Sequence, residues 1–198
     1  VAKGAAADGF FDLAIVGGGI IGAGVARDAA RRGLRTVLLE KNDFGSGTTA
    51  GSTRLIHGGL RYLEMLDFGL VRMDLRERET LLHTAPHLVK PLRFCLPYYN
   101  AGWFYRAKMQ IGLGLYDLLS YDKSLPNRGY LPAAEIASRE PALRRDGLSG
   151  ASTYFDAQVN MPERLCMENV LDAAGHGCVA RNGVEVTGTL HDQGRVTG

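Results

Sequence analysis

Three glycines and one glutamate near the start of the sequence have the spacing of a dinucleotide-binding site. Gly17, Gly19 and Gly22 form a G-x-G-x-x-G pattern, and Glu40 follows about 20 residues later. In this pattern the glycines permit a sharp turn, close approach of the backbone to a pyrophosphate, and tight packing of helix against strand. The first amides of the helix and its positive dipole end favour the pyrophosphate charge. Glu40 would accept hydrogen bonds from ribose hydroxyls and would repel a 2′-phosphate, which argues against NADP.

The residues around these glycines predict a βαβ unit that would position them. Apolar runs at 13–16 and 36–39 predict two buried strands, the second ending at Glu40. Between them an alanine-rich stretch predicts a helix that extends to Arg32 and stops at Gly33. Its small residues fall on one face, as contact with a sheet requires. We therefore predict dinucleotide binding, with a glycine-rich turn in an ordinary α/β domain as the alternative.

A segment rich in small polar residues follows Glu40 and has two interpretations. It is either a ligand-binding loop, whose hydroxyls bond phosphate or ribitol oxygens, or a solvated loop. Its position after a ribose-binding carboxylate favours ligand contact. The residues concerned are Thr48, Thr49, Ser52 and Thr53, followed by His57-Gly58-Gly59 and Arg61.

The sequence resembles the FAD-dependent glycerol-3-phosphate dehydrogenases in three motifs, VGGGIIGAG, LLEKNDFGSGTTAGSTRLIHGGLRYLE and YFDAQVNMPERL. The segment STRLIHGGLRY is the most specific, whereas the first motif is shared with many flavoproteins. Composition and spacing alone indicate a dinucleotide-binding protein with flavin as the favoured dinucleotide. The resemblance covers nearly the whole chain from Phe11 and implies the N-terminal part of a longer enzyme.

The resemblance implies an α/β fold of the glutathione-reductase type, with a Rossmann-like FAD-binding domain and part of a substrate-side β-sheet. FAD is the implied cofactor, and no metal is implied. Arg61 would hold the substrate phosphate, because a guanidinium fork bonds two phosphate oxygens, although a plain surface charge is the alternative. The residues implied to contact FAD, from pyrophosphate and ribose to isoalloxazine and adenine, are Gly17, Gly18, Gly19, Ile20, Ile21, Gly22, Glu40, Lys41, Thr48, Thr49, Ser52, Arg54, Ile56, His57, Gly58 and Val184.

The implied reaction is oxidation of sn-glycerol 3-phosphate to dihydroxyacetone phosphate by hydride transfer to FAD, with electrons passed to quinone. The resemblance also implies a cytoplasmic protein attached peripherally to the cytoplasmic membrane, and a homodimer is among the expected assemblies. The alternatives are a glycerol-3-phosphate oxidase, an amine or amino-acid oxidase of the same fold, and a non-enzymatic module that binds NAD or ADP-ribose. Residues 1–198 contain no convincing catalytic base, with His57 the nearest candidate, so we expect little turnover from the chain alone.

Four segments are predicted along the chain: a disordered lead-in at 1–9, an FAD-binding part at 10–90, a substrate-side part at 91–150, and a return to the FAD-binding domain at 151–198. Periodicity and capping residues predict helices at 67–85, 103–119 and 160–174, the last with Asn160 as its N-cap. A short helix is predicted at 131–143, broken at Pro141. Strands are predicted at 92–99, 150–156, 179–186 and 184–190, and Pro97 predicts that the first of them lies at a sheet edge. The last strand leads to a predicted hairpin turn at 191–194, and a sequence that stops shortly after such a turn is interpreted as a fragment.

Several charged or aromatic residues have open interpretations. The helix at 103–119 is either a core helix, which is favoured, or a membrane-surface helix with aromatic and basic residues in the headgroup region. Asp156 and His176 are acid–base candidates for which a structural role is favoured. Four charged residues of the helix predicted at 67–85 are expected to form its solvated face, namely Arg72, Arg76, Glu77 and Glu79.

Composition excludes several other classes of protein. The formal net charge of +2 does not indicate a nucleic-acid partner, and no apolar run approaches the roughly 18 residues of a spanning helix. Three widely spaced cysteines without a C-x-x-C pattern indicate reduced thiols in the cytoplasm and favour neither a disulfide framework nor a zinc site. Residues 1–9 lack the apolar region of a signal peptide.

Overall fold

The computed structural model describes residues 10–198, which form two compact units. Unit 1 contains residues 10–54 and 161–198, and unit 2 contains residues 55–160. The lead-in predicted at 1–9 lies outside the described residues. The four functional segments of the sequence analysis remain predictions, because the division into units reflects packing alone.

The elements follow one another with short connections. In chain order they are β1 (Leu13–Val16), α1 (Ile20–Arg31), β2 (Thr36–Leu39), β3 (Leu55–Ile56), a 3₁₀ helix (Leu60–Met65), α2 (Phe68–Thr84), β4 (Val89–Tyr99), α3 (Trp103–Leu119), β5 (Gly129–Leu131), α4 (Ala133–Arg139), β6 (Leu148–Val159), α5 (Pro162–Gly175), β7 (Val179–Arg181), β8 (His191–Asp192) and β9 (Arg195–Val196).

Unit 1 contains a parallel sheet of order β1-β2-β7, in which Leu13 is paired with Thr36 and Val37 with Val179. The alanine face of α1 is buried in the core of this unit, where small side chains allow close helix packing. Asp172 of α5 accepts hydrogen bonds from Arg27 and Arg31 and so links α5 to α1. The predicted βαβ unit is therefore confirmed, including the boundaries of both strands.

Unit 2 is built on an antiparallel sheet of order β3-β6-β4, with β5 also paired to β6. Strand β4 lies at an edge, as Pro97 predicted, because a proline cannot donate to a further strand. The predicted strand at 150–156 forms, but it extends over 148–159. Both faces of this strand are largely buried.

The helices of unit 2 follow the predicted periodicity, with one correction in α3. The side chain of Asp67 caps α2 by accepting a hydrogen bond from the Leu70 amide. Helix α3 buries Leu113 and Tyr116, but Trp103 in its first turn is 80% exposed, so the core-helix interpretation fails there. No helix of residues 10–198 is long and apolar enough to cross a bilayer.

The solvated face predicted for α2 is also only partly correct. Arg72 forms an ion pair with Asp122 and lies over the ring of Tyr121. Glu79 is mostly buried and accepts a hydrogen bond from the Ser124 amide. These two residues therefore tie the segment after α3 to α2.

The C-terminal part of unit 1 differs most from prediction. Helix α5 is capped by Met161 instead of Asn160, because the Asn160 amide bonds to Leu88 and prolongs the sheet of unit 2. Strand β7 ends at Arg181, and no strand forms at 184–190, since the Val184 amide turns to the carbonyl of Glu40. A short hairpin does form, with positive φ at the two central residues of its turn, Gln193 and Gly194.

The short helix predicted at 131–143, with a break at Pro141, is confirmed. It covers Ala133–Arg139, with Pro132 at its N-terminal boundary, and ends before Pro141. The residue that precedes a proline is disfavoured in the helical conformation, which explains why the helix stops there.

Candidate functional site

The turn between β1 and α1 requires glycine at three positions. Gly17 has a φ of +104°, in the region that favours glycine. A Cβ atom at Gly22 would lie 1.9 Å from the carbonyl oxygen of Gly17, so the helix packs against the turn backbone. A Cβ atom at Gly18 would lie 2.4 Å from the ring of Phe44. The roles predicted for Gly17 and Gly22 therefore have a direct steric basis.

Backbone amides at the start of α1 form a group of available donors. The first intrahelical bond runs from Ala23 N–H to the carbonyl of Gly19, at 2.9 Å. The hydroxyl of Thr49 accepts the Ile20 amide at 3.0 Å. The amides of Gly19, Ile21 and Gly22 have no acceptor within residues 10–198. Unpaired amides at a helix N-terminus are suited to binding phosphate oxygens.

Glu40 is fixed beside this turn by two backbone amides. One carboxylate oxygen accepts the Gly18 amide at 2.7 Å, and the other accepts the Asn42 amide at 2.8 Å. The bond from Asn42, followed by the bond from Gly18, lowers the pKa of the Glu40 carboxyl, so it is ionised near neutral pH. Each carboxylate oxygen keeps further acceptor capacity for a hydroxyl donor. The Val184 amide donates a hydrogen bond to the Glu40 carbonyl at 2.9 Å, which places Val184 next to Glu40.

The segment between β2 and β3 is a loop, as predicted, but its hydroxyls are not equivalent. Thr49 is buried because it caps α1, whereas Thr48 and Ser52 are exposed. The hydroxyl of Ser52 accepts the Arg54 amide at 3.2 Å, and Arg54 has a φ of 62°. A non-glycine residue at positive φ is strained, and such strain is concentrated at functional sites.

In unit 2, the segment His57-Gly58-Gly59 is held by two hydrogen bonds. The Gly58 amide donates to the hydroxyl of Tyr116 at 2.8 Å, and the Gly59 amide donates to Nδ1 of His57 at 3.0 Å. His57 is exposed. Arg61 lies on the following 3₁₀ helix, is exposed, and forms no ion pair with any residue in the 10–198 range. Its guanidinium is therefore available to an anion.

A buried polar cluster lies next to this segment. The carboxylate of Asp156 accepts a hydrogen bond from Arg78 at 2.6 Å and from the Tyr116 hydroxyl at 2.9 Å. Burial raises the pKa of Asp156, and the bonds from Arg78 and Tyr116 oppose that effect. Burial and the nearby Asp156 charge raise the pKa of Tyr116, which keeps its hydroxyl protonated. Asp156 is therefore enclosed in a structural network and does not have the exposure of an acid–base catalyst.

His176 also has a structural role. Its Nδ1 atom contacts the carbonyl of Asp172 at 2.8 Å, at the C-terminal end of α5. A histidine in the last turn of a helix interacts favourably with the unpaired carbonyls there. This contact explains the position of His176 without a catalytic role.

Comparison with known proteins agrees with this geometry. The model of the FAD dependent oxidoreductase family matches residues 12–198. This chain belongs to that family. The family match covers both units, so it extends beyond the glycine motif on which the sequence argument began.

Individual relatives of this chain are named glycerol-3-phosphate dehydrogenases. A Synechocystis protein of that name is 52% identical over 90% of this chain, and one from Mycobacterium leprae is 43% identical over 95%. The chain spans 32% of the length of each of these relatives. The glycerol-3-phosphate dehydrogenase from Bacillus halodurans, solved in complex with FAD, superposes with a TM-score of 0.68 at 31% identity, over 94% of this chain and 29% of that one. The predicted fold class is thus confirmed.

The structure groups the predicted site residues of this chain into two sets. In unit 1 the glycine turn, Glu40, Thr49 and Val184 are joined by the hydrogen bonds given above. In unit 2 Ile56, His57, Gly58 and Arg61 follow one another along the backbone. Sequence reasoning missed the partners that hold Gly58. The sequence feature that could have indicated these partners is Arg78, a charged residue on the apolar stripe of α2.

Proposed function

We propose that this chain binds FAD and takes part in the oxidation of sn-glycerol 3-phosphate to dihydroxyacetone phosphate. The observation that carries the proposal is the set of unpaired amides at Gly19, Ile21 and Gly22 beside the ionised carboxylate of Glu40. Amides at a helix N-terminus fit a pyrophosphate, and an adjacent carboxylate fits a ribose diol. The FAD dependent oxidoreductase family and the names of the relatives support the choice of FAD and of substrate.

Each part of the cofactor would be held by different residues. The first amides of α1 would hold the pyrophosphate, Glu40 the adenosine ribose, and backbone at Val184 the adenine. Residues from Thr48 to Gly58 would follow the ribityl chain and the isoalloxazine, with Lys41 near the ribose. When bound, FAD supplies the hydride acceptor, so the substrate loses a hydride from C2 and a proton from its hydroxyl.

Two residues of this chain would orient the reaction. Arg61 would bind the substrate phosphate, for which its exposed and unengaged guanidinium is suited. The backbone amide of Gly59 can only donate, so Nδ1 of His57 must accept, and a neutral ring then carries its proton at Nε2. His57 would therefore present an N–H donor to the flavin.

The proposal extends to the electron acceptor and to the location of the protein. Electrons would pass to quinone at the cytoplasmic surface of the membrane. The exposed Trp103, Phe104 and Tyr105 in the first turn of α3, with Lys108 one turn later, have the composition of an interfacial anchor. Co-sedimentation with anionic vesicles tests this, and unchanged binding after replacement of Trp103 and Phe104 by serine would contradict it. A homodimer stays a prediction from the resemblance.

FAD binding is tested by the absorption spectrum of the purified chain. We expect the two flavin bands to remain after gel filtration, and a colourless chain that binds NAD instead would contradict the proposal. With FAD bound, sn-glycerol 3-phosphate should perturb the flavin spectrum, and inorganic phosphate should compete. Arg61→Ala should weaken this response at least tenfold, while Arg76→Ala, an exposed arginine of α2, should not. Hydrogen peroxide formation under air would favour an oxidase over quinone reduction.

A further inference from the structure

The amide of Gly58 is fixed by contacts that leave it no freedom to rotate. A Cβ atom at this residue would lie 2.5 Å from the side chain of Leu75 and 2.7 Å from the hydroxyl of Tyr116. Only glycine fits, and its N–H donates to that same hydroxyl at 2.8 Å. The position of the Tyr116 oxygen therefore determines the position of the peptide between His57 and Gly58.

The Tyr116 hydroxyl is in turn fixed by a charged partner. It accepts from Gly58 and donates to both oxygens of Asp156, at 2.9 and 3.0 Å. Its O–H is thus directed at a carboxylate, which makes the bond stronger than one between neutral groups. Because its single proton points to Asp156, the lone pair that receives the Gly58 amide has a fixed direction.

Asp156 forms a buried ion pair with Arg78, and this pair stabilises the fold less than apolar side chains in the same place would. Both side chains are almost completely buried, and Nε and Nη2 of Arg78 have no partner within residues 10–198. A buried ion pair with unsatisfied donors contributes less than well-packed apolar side chains of similar volume. Stability alone therefore does not account for the cluster, whereas a requirement for a fixed position at Tyr116 does.

We propose that Tyr116, held by Asp156 and Arg78, is a positioning residue that fixes the His57–Gly58 peptide for the isoalloxazine of bound FAD. This inference rests on the proposed function and deepens it. The cluster brings α2, α3 and β6 to one short loop segment, so three elements of unit 2 set its conformation before a ligand arrives. Pre-organisation of this kind reduces the conformational cost of binding.

The matched test replaces one hydroxyl at a time in the same buried cluster. Tyr116→Phe removes the hydroxyl that receives Gly58. Tyr154→Phe removes a neighbouring hydroxyl that makes no hydrogen bond with the described residues, although its ring packs edge-on against Tyr116. We expect Tyr116→Phe to weaken FAD binding about tenfold and Tyr154→Phe to leave it unchanged.

Binding of ADP separates positioning from general damage. ADP lacks the isoalloxazine and would use only the glycine turn and Glu40, so Tyr116→Phe should leave its affinity unchanged. Equal weakening of FAD and ADP, or no change for either, would overturn the inference. A wild-type chain that binds no FAD would instead contradict the proposed function itself.

A measurement on the wild-type chain covers the case in which Tyr116→Phe does not fold. Hydrogen exchange without ligand should show the Gly58 amide protected well above those of the exposed Ser52 and Thr53 in the preceding loop. Exchange at Gly58 as fast as at those two residues would mean that the cluster does not hold the segment, and the inference would fail.

Discussion

The two side-chain contacts that fix the glycine turn in unit 1 join residues 22 and 29 positions apart, and each of them involves a backbone amide. In unit 2 the contacts around Gly58 join residues 40, 58 and 78 positions apart, and most of them involve two side chains. The first arrangement is local and exposed to a ligand. The second is assembled by the tertiary fold and is closed to solvent.

This difference explains what each unit can tolerate. A site built on backbone amides depends on glycines, which let the backbone approach closely, and on the few side chains that bond to those amides. A support made of buried side chains depends on complete partners, because removing one leaves another uncompensated. Substitutions at the unit 1 site should therefore always affect binding of the ADP part, whereas substitutions in the unit 2 cluster should affect stability and the His57–Gly58 segment that the cluster holds.

The largest effect is expected from Arg78→Met. The variant leaves the Asp156 carboxylate buried without its cation, and we expect the free energy of unfolding to fall by about 3–5 kcal/mol. Lys108→Met breaks an exposed pair with Glu64 in the same unit and should cost less than about 1 kcal/mol. Denaturant unfolding measures both values. Equal, small losses in the free energy of unfolding of the two variants would contradict a larger contribution from the buried ion pair.

The next effect concerns the glycine turn of unit 1. Gly22→Ala places a methyl group 1.9 Å from the Gly17 carbonyl oxygen, so the turn must distort, and we expect a loss of at least about 2 kcal/mol in stability together with loss of FAD binding. Gly24→Ala is the matched control, because its Cβ would meet nothing within 4 Å. That variant should gain about 0.5–1 kcal/mol from helix propensity. Similar behaviour of the two variants would contradict the steric argument.

A smaller effect, on binding more than on stability, is expected from Glu40→Ala. The variant loses the acceptor proposed for the ribose and frees the Gly18 amide, so affinity for both FAD and ADP should fall about 10- to 100-fold. Asp28→Ala removes an exposed carboxylate of α1 that pairs only with Arg32 and should have no effect on either ligand. Isothermal titration distinguishes these results, and unchanged affinity in Glu40→Ala would remove Glu40 from the site.

The smallest effect is a pH dependence that differs between the units. Arg35 lowers the pKa of Asp12 to about 2 by hydrogen bonding, and Asp28, Glu40 and Asp172 of the same unit are also lowered. A carboxyl whose pKa is lower in the folded than in the unfolded chain stabilises the fold at every pH above its unfolded pKa, which is near 4. That stabilisation is lost as the pH falls towards 2. In unit 2 only Asp122 is lowered within the described residues, to about 2, through Arg72.

Acid should therefore open unit 1 before unit 2. Hydrogen exchange at pH 5 and pH 3, corrected for the intrinsic rates, should show a greater loss of protection in residues 10–54 and 161–198 than in residues 55–160. A greater loss in unit 2 would contradict the assignment of these shifts.

The same contrast decides what could be predicted from the sequence. The βαβ unit, the steric roles of Gly17 and Gly22 and the placement of Glu40 beside the glycine turn follow from local spacing, because the contacts lie within one short supersecondary motif. The cap of α5 was missed because the Asn160 amide bonds to Leu88, a partner 72 positions away in the sequence. Arg78 and Asp156 could not be paired for the same reason, since no periodicity in α2 or β6 specifies which strand residue faces a helix residue.

The central claim is that the ADP part of FAD binds the free amides at the start of α1. Amide chemical shifts of the ¹⁵N-labelled chain during titration with ADP test this claim directly. The account predicts that the largest changes occur at Gly19, Ile21 and Gly22, with smaller changes at residues next to Glu40. Saturable binding that leaves these three amides unchanged, or the absence of any binding, would contradict it.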